Sequence, residues 1–102
     1  MIRHIVAWNF KEGFSDTENE DHARKVKTDL EALTNIVDGI LEINVRIDLL
    51  SSSNKQVVLD SCFACEDAMA AYQVHPEHKK VVAFINEVFE NRICIDYLEP
   101  KE

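Results

Sequence analysis

The chain has 102 residues, 46% of them hydrophobic, with only two glycines and two prolines. That is the length and composition of one folded domain over residues 1–102, and it excludes a long disordered segment. Eleven lysines and arginines against nineteen acidic residues give a formal charge of −8, and this field repels phosphate backbones and anionic lipid, so neither nucleic acid nor membrane is an expected partner.

In chain order, residues 2–10 alternate as a strand. Ile2, His4, Val6, Trp8 and Phe10 share one face, with Ile5 and Ala7 on the other. Gly13 breaks the run, and Ser15 with Glu18 forms a capping box, with Thr17 and Glu20 as the shifted alternative. Ala23, Val26, Leu30, Leu33 and Val37 then recur at helical spacing, and Gly39 is the expected stop. From Leu41 to Asp48 the alternation is clean. Leu41, Ile43, Val45 and Ile47 oppose Glu42, Asn44, Arg46 and Asp48, which predicts an edge strand wet on one side.

Ser51 to Asn54 read as a turn and Gln56 to Phe63 as a third strand. A helix over 66–74 stops at His75-Pro76, and a second runs from Glu77 to Phe89, since proline suits a first helical turn. Arg92 to Leu98 supply the last strand. The order is β-α-β-β-α-β, an α+β ferredoxin-like plan. Its two helices cover one face of the sheet, yet three strands carry apolar residues on both. The second face therefore calls for a symmetric partner, a homodimer packed through the face opposite the helices.

Cys62, Cys65 and Cys94 sit among apolar residues and read as buried small hydrophobes. Cys62-Phe-Ala-Cys65 has redox spacing but lies in or at the end of a strand-like run, without the turn or helix start that activates a thiol. The opening Met1-Ile2-Arg3-His4 does not follow the order of a secretion signal, and no 18-residue apolar run occurs. The expectation is a soluble, cytoplasmic protein.

The chemistry concentrates at Tyr72-Gln73-Val74-His75-Pro76-Glu77-His78. Three groups able to bind or move protons meet at a helix–break–helix corner, and His4 shares a strand face with Val6 and Trp8 that the helices should cover. Imidazoles exchange protons near neutrality and a phenol polarises an oxygen. Such a set in an apolar cavity suits enolisation, aldol-type cyclisation or elimination without a cofactor. The competing reading is structural, with His75 capping a helix, Tyr72 packing its ring and His4 a satisfied core histidine. The corner lacks HExxH spacing and a third ligand, so no metal is expected there. Neither a phosphate loop nor a serine-hydrolase framework is present.

Three segments together resemble the stress-responsive A/B barrel domain (Dabb) family over nearly the whole chain: Ile2-Arg3-His4-Ile5-Val6, the Tyr72–His78 phrase, and Ile95-Asp96-Tyr97. The resemblance implies a dimeric α/β barrel of two ferredoxin-like subunits. Many members have no assigned reaction, and some are linked to stress tolerance in plants. One plant polyketide cyclase of the family closes a ring by cofactor-free aldol chemistry. By that resemblance His78 is the base, Tyr72 the helix tyrosine and His4 the opening-strand histidine, with Asp96 matching its closing-strand aspartate.

The cyclase also has a first-helix tyrosine, where this chain has Arg24-Lys25-Val26-Lys27. Lys27 would favour a different or more anionic ligand, so the polyketide is not carried over. The expected site is thus His4, Tyr72 and His78 as catalytic groups, with Val6, Trp8, Lys27, His75 and Asp96 lining a pocket for a small apolar carbonyl or aromatic compound. The expected activity is that of a cofactor-independent cyclase or lyase. The alternatives are a non-enzymatic stress-related or ligand-binding protein, and a cofactor-free monooxygenase.

Overall fold

A computed structural model describes residues 1–100. Four strands, β1 (Ile2–Phe10), β2 (Ile40–Arg46), β3 (Val57–Phe63) and β4 (Phe89–Leu98), and three helices, α1 (Asp16–Ala32), α2 (Glu66–Val74) and α3 (Pro76–Val88), follow in the order β1-α1-β2-β3-α2-α3-β4. The sheet order is β2-β3-β1-β4, and every neighbouring pair is antiparallel. This is the α+β ferredoxin-like arrangement expected from the sequence, with both β2 and β4 at edges. No helix of the described residues is long and apolar enough to cross a membrane.

Local chemistry sets most boundaries. Ser15 caps α1 by accepting from the Glu18 amide, while the Glu18 carboxylate accepts from the Ser15 amide, a complete capping box. The helix ends at Ala32 and passes through a 3₁₀ turn, Leu33–Asn35, so Gly39 is not its stop. Gly39 instead adopts φ 87° beside α2, where a Cβ would lie 2.5 Å from the Ala68 Cβ. β2 also departs from expectation. A register shift between Ile40 and Glu42 leaves Leu41 as the extra residue of a bulge, so Ile40 and not Leu41 joins the core, and Ile47 falls beyond the strand. β4 begins at Phe89, three residues earlier than expected, directly from the end of α3.

The core fills the layer between helices and sheet. Val26 and Leu30 from α1, Val81 and Ile85 from α3, and Val6, Trp8, Val57, Leu59 and Phe63 from the sheet form one cluster. The opposite sheet face is open. The cross-strand register places Ile5 against Ile95 and Ala7 against Ile93 and Val58 there. Ile93, Ile95 and Tyr97 stay 43%, 52% and 45% exposed. At its rim Arg3 donates to Glu42 (2.7 Å), Asp60 (3.1 Å) and Glu99 (2.7 Å), tying β1, β2, β3 and the chain after β4 together.

Candidate active site

His4 enters the helix-covered layer from the middle of β1 and is only 3% exposed. Its register partner on β4 is Asp96. The His4 Nδ1 lies 2.5 Å from Asp96 Oδ1, an N–H donating to a carboxylate, which fixes the ring's orientation and leaves Nε2 for chemistry. Cys94 is two residues before Asp96 on the same strand face. Its sulfur lies 3.8 Å from His4 Nδ1 and 3.6 Å from Asp96 Oδ2. Partial desolvation of its sulfur and the adjacent Asp96 charge hold the Cys94 thiol above its ordinary range.

The His75–Pro76 break positions the second half of the corner. The His75 amide closes α2 onto the Tyr72 carbonyl, and its Nδ1 accepts from the Glu77 amide as the N-cap of α3. Pro76 takes the first helical position, where its missing N–H is harmless. His75 is thus committed to the backbone and does not line the cavity. His78, in the first turn of α3, packs its ring on Tyr72 with ring centroids 4.1 Å apart. Its Nδ1 reaches the Gln73 carbonyl at 3.4 Å, so this nitrogen carries the proton and Nε2 is the free base. Burial is the main cause that holds the His78 imidazole below its ordinary pKa; the bond to Gln73 opposes it, and His4, Arg92 and His75 add to it.

His4 and His78 open onto one cavity of about 60 Å³, with Val6 and Trp8 on its apolar wall and Asn86 and Arg92 at its polar side. Tyr72 is placed behind this cavity rather than in it. Its ring packs between His78 and Phe63, and its buried hydroxyl has no hydrogen-bond partner among the described residues. Burial pushes that phenol's pKa up, so it is a neutral donor. Lys27 sits elsewhere. Its ammonium donates to Glu31 (2.7 Å) and to the Val45 carbonyl (2.8 Å) across α1 and β2, beside a separate surface hollow.

The Stress responsive A/B Barrel Domain family, Dabb, matches this chain over residues 2–99. The chain belongs to the Dabb family. Solved structures with the same fold include a dimeric protein of unknown function with a ferredoxin-like fold from Bacteroides fragilis, 27% identical, with a TM-score of 0.87, covering 94% of this chain and 93% of that one. A dimeric ferredoxin-like protein of unknown function from Thermobifida fusca is 25% identical, with a TM-score of 0.79 over 94% of this chain and 88% of that one. The hydroxynitrile lyase of Passiflora edulis is 18% identical, with a TM-score of 0.78 over 99% and 94% of the two chains, a likeness of fold alone. A comparison with curated protein sequences finds no match.

For this Dabb protein, reading the sequence missed Arg92 at the cavity and Cys94 beside the His4–Asp96 pair. Both were in view, because Arg92, Cys94 and Asp96 keep the period of two that puts them on the His4 face of β4. The three cysteines are not alike in burial. Only Cys62 is buried, whereas Cys94 lies on an exposed edge strand and Cys65 is the exposed N-cap residue of α2.

Proposed function

We propose that this Dabb protein is a homodimer, sheet against sheet, whose subunits each carry a cofactor-independent acid–base site for aldol-type carbon–carbon chemistry on a small carbonyl compound. The observation that carries the reading is the pairing of two differently held imidazoles on one cavity. His78 has a free Nε2 and a depressed pKa, while His4 is oriented by a carboxylate at 2.5 Å. A cyclase or a lyase needs such a division of labour: one group must accept a proton while another supplies one to oxygen.

In this scheme His78 Nε2 removes the proton next to the carbonyl, and the electron pair moves onto the carbonyl oxygen. Protonated His4 donates its Nε2–H to that oxygen while Asp96 holds the ring. The enol carbon then attacks a second carbonyl carbon to form the new bond; as the first carbonyl re-forms its oxygen hands the proton back to His4, and the new alkoxide takes the proton held by His78. Run backward, the same steps break a bond and make the protein a lyase. Arg92 at the mouth supplies positive charge toward the developing oxyanion. Tyr72 acts through His78 as a positioning residue, holding the imidazole by ring packing.

Size restricts the substrate. A cavity of 60 Å³ is far below the roughly 300–1,000 Å³ of sites that enclose drug-sized ligands. It accepts the reacting end of a small, mostly apolar molecule. The fold shared with a hydroxynitrile lyase is compatible with carbon–carbon cleavage at such an end. The rival reading, a stress-related protein in which the corner only braces the fold, makes the opposite prediction for ligands. Thermal-shift screening with small aryl and alkyl aldehydes and ketones separates the two. Stabilisation of the wild type that disappears in folded His78→Ala is expected. A panel without hits, or hits unchanged in the variant, would overturn the site.

A further inference from the structure

We propose that His4, Cys94 and Asp96 form a binding site for a borderline-soft divalent metal of the zinc type. The inference goes beyond the acid–base reading and stands whether or not the corner turns over a substrate. It rests on three donors of complementary kind that the β1–β4 register brings to one face. Asp96 is the direct cross-strand partner of His4, and Cys94, paired with Val6, lies diagonally beside it. One ligand atom from each residue falls within 4.8 Å of the others.

The spacing fits the ion. Zinc bonds of about 2.3 Å to sulfur and about 2.0–2.1 Å to nitrogen or oxygen, at tetrahedral angles, put donor atoms roughly 3.3–3.6 Å apart. The Cys94 sulfur is already 3.8 Å from His4 Nδ1 and 3.6 Å from Asp96 Oδ2. The other Asp96 oxygen, Oδ1, sits 2.5 Å from His4 Nδ1, too close for two ligands of one ion, because a hydrogen bond holds the pair. A metal replaces that proton, and the pair must open by about 1 Å to reach tetrahedral spacing. The carboxylate can turn to do so, since the Asp96 side chain is 38% exposed.

The donor set also selects the metal. A thiolate, an imidazole and a carboxylate suit zinc or cobalt and disfavour magnesium and calcium, which take oxygen ligands. Three protein ligands leave the fourth position for water. Binding displaces the thiol proton of Cys94 and engages both His4 Nδ1 and Asp96. A bound ion therefore withdraws the carboxylate from the histidine it orients, which makes the site a candidate point of metal inhibition.

Cobalt(II) tests this directly, because a thiolate ligand gives it a near-ultraviolet charge-transfer band and tetrahedral geometry gives intense visible bands. Reduced, metal-free protein titrated with cobalt under nitrogen should develop both to a single equivalent per subunit, and zinc should abolish them. The bands should vanish in Cys94→Ala, or in Cys94→Ser if the alanine variant fails to fold by circular dichroism. They should persist in Cys65→Ala, which removes an exposed cysteine outside the cluster. Absence of the bands in wild type, or their survival without Cys94, would overturn the proposal.

Discussion

Tyr72 keeps a polar atom in a place where polarity is costly. Its hydroxyl is buried with no partner among the described residues, and an unsatisfied group of that kind destabilises by about 1–3 kcal/mol. Tyr72→Phe should therefore raise the unfolding free energy by about that amount in urea melts; a clear loss would show that the hydroxyl is satisfied. His78 makes a second residue-level prediction. Its folded pKa is depressed, chiefly by burial, so the unfolded chain takes up its proton first as the pH falls. The stabilising contribution is whole above about pH 6.5 and is lost below it, down through the folded pKa. Folding stability should fall across that window, and the His78 share of the fall should be missing in His78→Asn. An identical pH profile in the variant would contradict the assignment. The sequence exposed the residues of this corner because a proline between two histidines is an unusual local signal. It could not show which way Tyr72 faces, which depends on the packing of Phe63 from a distant strand.

At the level of elements, boundaries followed residue chemistry where the chemistry is local. The Ser15–Glu18 box and the His75–Pro76 junction lie where their side chains dictate. The misread boundaries depend on long-range contacts. The bulge at Leu41 is a mismatch between β2 and β3 that periodicity within β2 cannot reveal. Gly39 looked like a helix stop because glycine commonly serves as one, yet its role is a left-handed turn pressed against α2. Gly39→Ala therefore combines backbone strain with a collision at Ala68, and should cost about 2–4 kcal/mol in chemical denaturation. A cost near zero would mean that α2 can move away. The expected burial of Cys94 fails for a similar reason: Cys94 lies among apolar residues in sequence, but its exposure is decided by β4 lying at the sheet edge.

For the whole molecule, the open apolar sheet face is the main incentive to associate. Ile93, Ile95 and Tyr97 form with Ile5 a surface that water covers in the isolated subunit, and burying it against a symmetric copy is favourable by about 25 cal/mol per Å² of apolar area. Ile95→Glu places a charge in the middle of that surface. Sedimentation should show a dimer for the wild type and a monomer for Ile95→Glu, and a monomeric wild type would contradict sheet-to-sheet pairing. Alternation on both faces of the strands made this surface legible from the sequence. The chemistry at the opposite face is the central claim, and proton exchange tests it most directly. Small aldehydes and ketones incubated with the protein in deuterium oxide and followed by NMR should exchange the hydrogen next to the carbonyl faster than in buffer. The acceleration should be lost in His78→Ala and reduced in His4→Asn. Exchange at the buffer rate throughout the panel, or acceleration indifferent to both substitutions, would contradict an acid–base site at this corner.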